Sequence, residues 1–195
     1  MKKLLIFLTA LLLASITLAQ EEKQETMEMK PALLVIDVQK QFMPMMSQDD
    51  QEMAITMMNW AIWIFRKYDL PVIRVYHTSP EWGPAEDSPG FAFHDSLKLT
   101  KNDPMIVKTY ASAFTKTDLD KLLKEKDINT LFMCGLSSVG CVLATYMDAQ
   151  SHDYKAFMLK DAMLSHDEKY TNNVEEMFNA MDLETLMYMI EVSRK

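Results

Sequence analysis

The chain has 195 residues, 49% hydrophobic and 25% charged, with a formal net charge of −8. That length and composition suit one globular domain with a sizeable core. The acidic balance argues against nucleic acid or an anionic membrane as partner.

Residues 1–19 read as a secretory signal peptide. Lys2 and Lys3 precede an apolar run, Leu4 to Leu18, and Thr17-Leu18-Ala19 offers small residues for cleavage. The run is shorter than the roughly 20 apolar residues a membrane anchor needs, so an exported protein, periplasmic or secreted, is expected with no membrane attachment after cleavage. Gln20 to Lys30 is polar and reads as a disordered lead-in. Residues 31–195 then make up a single domain.

From there strands and helices alternate, which implies a mainly parallel sheet with helices on both faces, a doubly wound α/β fold of about six strands. The first strand is Ala32 to Ile36, continuous and apolar, and ends at Asp37. A helix over 51–68 follows, apolar nearly all round, with only Thr56 and Asn59 polar between Met53 and Phe65. Such a helix has its outer face covered by a second subunit or by a long loop. On the first reading the chain is a homo-oligomer, with Trp60 and Trp63 in the interface.

The second strand is Val72 to Tyr76, and His77 to Leu99 forms a long loop of the kind that carries function. Met105 to Val107 is a third strand, ending at Lys108. Helix is expected over 118–126, strand over 130–134, helix from about 140 to 151, strand over 156–159 and helix over 167–181. Residues 185–192 fit strand or helix.

The stretch Leu131–Asp148 draws the chain together. An apolar run stops at Gly135, a small-residue turn follows, and Cys141 opens what reads as a helix. Unpaired N–H groups at such a start favour a thiolate and hold an oxyanion. Parallel strands share one C-terminal edge, where ligands bind, and Asp37, His77, Lys108 and the turn before Cys141 all lie there. Lys108 would assist the thiolate, and Asp37 would carry protons between thiol, leaving group and water. Those are the parts of acyl transfer through a thioester. The two cysteines, Cys134 and Cys141, would have to converge across a tight turn to form a disulfide, so the thiol of Cys141 is read as free. A phosphate loop fails because Cys141-Val142 stands where Lys and Ser or Thr are required, and a dinucleotide fingerprint fails for want of Gly-x-Gly.

PALLVIDVQKQF, MIVKTYASAFTKTDL and LFMCGLSSVGCVLATYMDAQSHDYKAFMLKDAM resemble, in order and spacing, the three signature regions of the isochorismatase-like cysteine hydrolases. The resemblance implies a doubly wound α/β fold and a Cys–Asp–Lys triad. By motif, Cys141 is the nucleophile, Asp37 the proton-transferring carboxylate and Lys108 the bridging cation. It also implies a cis peptide at Leu136–Ser137, an oxyanion hole from the Ser137 and Cys141 amides, and assembly into dimers or larger forms. Metal-binding members carry Asp-x-His at the end of strand two, whereas this chain has Val75-Tyr76-His77. With His94, His152 and His166 spread along the chain, no metal set is evident, and no cofactor is expected. Aromatic pocket candidates are Phe42, His77, Trp82, Tyr110 and Phe114.

The expected activity is hydrolysis of a C–N bond in a small amide, imide or carbamoyl compound. The alternatives are hydrolysis of a vinyl ether, as in isochorismatase itself, and a non-catalytic binding protein on the same fold.

Overall fold

Five apolar runs pair into one parallel sheet in a computed structural model that describes residues 28–81 and 83–194. The expected signal peptide, most of the lead-in and Trp82 lie outside the described residues. The strands are β1 (Pro31–Ile36), β2 (Val72–His77), β3 (Met105–Lys108), β4 (Thr130–Leu136) and β5 (Lys155–Leu164), in the order β3-β2-β1-β4-β5. β1 is central and every one of its six residues is buried. It pairs with β2 from Leu33↔Val72 to Ile36↔Val75, and with β4 from Pro31↔Thr130 to Ile36↔Gly135. The chain winds outward from β1 through β2 to β3, then returns to start the other half at β4. The boundary between β1 and β4 is therefore the switch point at which open α/β sheets bind their ligands.

Alternate residues of the central strands face opposite ways and build two cores. Leu33 and Val35 of β1 pack with helices α1 (Gln48–Lys67) and α5 (Leu183–Ser193) on one face. Ala32, Leu34 and Ile36 pack with α2 (Leu119–Glu125), α3 (Leu143–Ser151) and α4 (Glu168–Met177) on the other.

Helix α1 begins where Ser47 accepts a hydrogen bond from the Asp50 amide (3.2 Å). It has Asp49 and Asp50 in its first turn and Arg66 and Lys67 in its last, matching the helix dipole. Its outer face is partly crossed by the long loop, since Asn59 donates to the Ser96 carbonyl (2.9 Å) and accepts from the Lys98 amide (2.8 Å). Trp60 and Trp63 stay about half exposed and meet edge to face, ring centroids 5.6 Å apart.

The expected sheet of about six strands has five among the described residues, because residues 185–192, left open between strand and helix, lie in α5. There Asp182 accepts from the Thr185 amide (2.7 Å), and Leu186 and Ile190, one turn apart, are both buried. β5 does not stop at Leu159; Asp161 takes a left-handed conformation (φ 58°) and the strand resumes beside Gly135 and Leu136. α4 ends at Met177, with Asn179 in the left-handed region (φ 50°), so it is shorter than 167–181.

Candidate active site

Asp37 follows the last residue of β1 and turns the chain with φ 53°, a conformation aspartate tolerates better than most residues. Its amide still donates to the Val75 carbonyl of β2 (2.8 Å), so the residue is tied to the sheet. Lys108 is the last residue of β3 and its side chain is fully buried. An ammonium has three hydrogens, and here each has an acceptor: Asp37 Oδ2 at 2.7 Å, His77 Nδ1 at 3.2 Å and the Tyr110 carbonyl at 3.2 Å. Because an ammonium only donates, His77 Nδ1 must accept, and the ring proton sits on Nε2. Burial, and then the Lys108 charge, lowers the His77 pKa from 6.5 to about 4, so the ring is neutral at neutral pH.

Gln39 holds the end of β2. Its Oε1 accepts from the His77 amide (2.7 Å) and its Nε2 donates to the His77 carbonyl (3.0 Å). This wholly buried side chain replaces the ladder that β1 no longer supplies.

Cys141 lies in a π-helical turn, Ser138–Val142, ahead of α3, and Gly140 within that turn is not helical (φ −123°, ψ −108°). Cys141 therefore precedes the regular helix rather than opening it. The turn is entered through a cis peptide at Leu136–Ser137. Its Ser137 carbonyl accepts from the amides of Gly140 (2.9 Å) and Val142 (3.1 Å). The Cys141 carbonyl accepts from the Thr145 hydroxyl (2.7 Å), which in turn accepts from the Ala113 amide (3.0 Å). Behind the turn, the buried hydroxyls of Ser138, Thr171 and Ser165 form a chain with steps of 3.1 and 2.9 Å.

Asp37, His77 and Cys141 each present a donor atom, and these atoms lie within 4.8 Å of one another. Burial pushes the Cys141 thiol up to about 12, the Asp37 charge adds to this, and Lys108 offsets only part. Burial also raises the Asp37 pKa, with the Lys108 charge, its hydrogen bond and the thiol pulling the other way. The expected ready-made thiolate is thereby corrected. The lysine charge is already matched by the aspartate, so the resting group is a neutral thiol beside a carboxylate–ammonium pair.

A cavity of about 70 Å³ opens on this group, lined by Asp37, Phe42, Met45, Met46, Leu136, Ser137 and Cys141. Of the aromatic candidates, Phe42 lies on its wall. His77 lies beside Lys108, and its ring centroid is 6.2 Å from that of Phe42. Tyr110 contributes its carbonyl to Lys108, while its exposed hydroxyl accepts from Lys116 (2.7 Å). Phe114 is corrected to a packing residue, buried, stacked on the His152 ring at 4.7 Å and tilted against the Tyr154 ring at 5.7 Å. Met45, Met46 and Gln39 were not anticipated, and Leu136, expected in the turn and its cis peptide, also lines the cavity. The two methionines lie in a methionine-rich stretch with no chemical signature.

Lys108 Nζ already holds His77 Nδ1 and Asp37 Oδ2, so a metal ion bound through the other ring nitrogen, the other carboxylate oxygen and the thiol would face an ammonium.

A buried carboxylate–ammonium pair with a thiol beside it thus lies at the switch point of a parallel sheet, and similarity places the chain within a class of hydrolases. Residues 31–186 match the isochorismatase domain, and the chain belongs to the isochorismatase family of hydrolases. It is 31% identical over 140 residues to the isochorismatase family protein YddQ of Bacillus subtilis, covering 69% of this chain and 77% of that protein. A shorter match, 30% over 78 residues (40% of this chain, 37% of the relative), is to maleamate amidohydrolase of Pseudomonas putida. Among solved structures, N-carbamoylsarcosine amidase from Thermoplasma acidophilum superposes with a TM-score of 0.68 at 26% identity, over 79% of this chain and 95% of that one.

Proposed function

We propose that this hydrolase cleaves a C–N bond of a small amide, imide or carbamoyl compound through a thioester on Cys141. The observation that carries the reading is the buried Lys108–Asp37 pair, 2.7 Å apart, with the Cys141 thiol beside it on a cavity wall. The amidase and amidohydrolase names of the two relatives support the same reading.

In this mechanism the thiol proton passes to Asp37 as sulfur attacks the substrate carbonyl. The Ser137 and Cys141 amides stabilise the resulting oxyanion. Asp37 returns the proton to the departing nitrogen, and ammonia or an amine leaves. Asp37 then takes a proton from water, which attacks the thioester and frees the acid and the thiol. Lys108 keeps the carboxylate in place and matches its charge throughout. Incubating a panel of small amides with ammonia detection tests the proposal. Cys141→Ala should lose at least about a hundredfold of any activity found, and full activity in that variant would disprove the mechanism.

A second reading rests on the place of Asp37, a buried acid on the cavity wall whose pKa burial raises, where it can relay a proton to a vinyl ether. Under it, Cys141→Ala keeps vinyl ether cleavage and Asp37→Asn abolishes it.

A further inference from the structure

We infer that the Cys141 site takes short, uncharged amides and rejects substrates that carry a carboxylate. This rests on the C–N hydrolase reading and narrows its substrate class. Four of the lining side chains, Phe42, Met45, Met46 and Leu136, are apolar. Among the described residues that line the cavity, none is cationic. The nearest positive charge in the site is Lys108, whose three hydrogens are already taken by Asp37, His77 and the Tyr110 carbonyl. It has no donor left for a substrate carboxylate.

Asp37 contributes to the wall itself. Its side chain is 4% exposed, and Oδ1 has no hydrogen-bond partner of ordinary geometry in the resting structure. The Cys141 thiol is only a weak donor to this carboxylate, so the buried acceptor is poorly satisfied, and a ligand that brings an N–H relieves that cost. A neutral amide brings one on the nitrogen that must receive the Asp37 proton. An anion brings a like charge into the same poorly solvated space, where repulsion is much stronger than in water. The volume, about 70 Å³, holds roughly five water-sized groups, which limits the acyl part to a short chain.

Alkylation of the thiol tests this without knowledge of the natural substrate. Iodoacetamide and iodoacetate differ in replacing a neutral amide by a carboxylate. Rates at Cys141 are followed at pH 8.5 by mass spectrometry of its peptide, and the amide-to-acid rate ratio is divided by that of 2-mercaptoethanol. The expected normalised ratio exceeds fivefold, and a ratio of five or less overturns the proposal. Met45, on the cavity wall but 58% exposed, is a site where a charge can be added without disturbing the core. Met45→Lys should bring the ratio to near one, and an unchanged ratio would overturn the assignment of selectivity to this wall. Hydrolysis separates this rule from the thioester reading. If succinamate is cleaved as fast as butyramide in a Cys141-dependent way, the thioester reading holds and the charge rule falls. If the alkylation ratio holds while Cys141→Ala keeps amide cleavage, the charge rule stands and the thioester reading falls.

Discussion

Asp37 has two opposite effects on Cys141. As a carboxylate it makes the thiol harder to ionise, and as a base it is the group that receives the thiol proton. The two effects separate in Asp37→Asn. Removing the negative charge leaves Lys108 unmatched beside the sulfur, so the thiol pKa falls. Alkylation by iodoacetamide at pH 8 should therefore speed up severalfold. Amide hydrolysis should fall by about a hundredfold or more, because no group remains to move the proton. If alkylation slows together with hydrolysis, Asp37 assists ionisation in the resting enzyme and the neutral-thiol description is wrong. The direction of the Cys141 shift was not legible in the sequence. Residue types at strand ends show which groups meet, whereas burial and charge matching around the sulfur depend on the packed neighbours.

At the scale of the element, the close approach of β1 and β4 sets the distance between Asp37 and the Cys141 turn. Gly135 pairs with Ile36 at φ +113°, and a Cβ there would lie 2.1 Å from the Ile36 carbonyl oxygen. Any side chain forces the two strands apart at the residues that lead into the site. Gly135→Ala combines a backbone clash with a strained φ, so a loss of at least about 3 kcal/mol is expected, read as a lower urea midpoint. A variant as stable as the parent would show that β4 shifts without cost. The strands leading to Asp37, Lys108 and Cys141 were legible because each is a short apolar run with a clear end. The boundaries that failed have a common cause. β5 continues past Leu159 because Asp161 forms a kink that hydrophobic patterning does not mark. Residues 185–192 are apolar enough for either state, and the Asp182 cap decides for helix. Phe114 looked like a pocket residue because it follows a strand end, yet it turns into the core with Tyr154, 40 positions on, beneath the exposed ring of His152. Pairings of that sequence separation are set by how α3 packs and leave no local trace.

For the whole molecule, the site ties folding to pH through His77. In the unfolded chain its ring takes up a proton near pH 6.5, whereas in the folded protein it does so only near 4. Between those values the unfolded state binds more protons, so stability rises with pH. The contribution is fully present above about 6.5 and is lost as pH falls to about 4, a total of about 3 kcal/mol. Asp37 acts the other way. Its pKa is raised in the fold, so its contribution is present at low pH and lost as pH rises through its folded value. A single unfolding curve therefore mixes two opposed slopes, and the variant His77→Asn separates them. Asparagine cannot take up the proton but can still offer an oxygen to Lys108. Urea midpoints measured from pH 7 to pH 4.5 should fall less steeply in His77→Asn than in the parent, with the difference approaching 3 kcal/mol at the acid end. Curves of equal slope, a uniform offset between the two, would show that His77 is protonated in the fold as readily as in water and that the mutation removes packing alone; the Lys108–His77 hydrogen bond would then have no place in the resting enzyme.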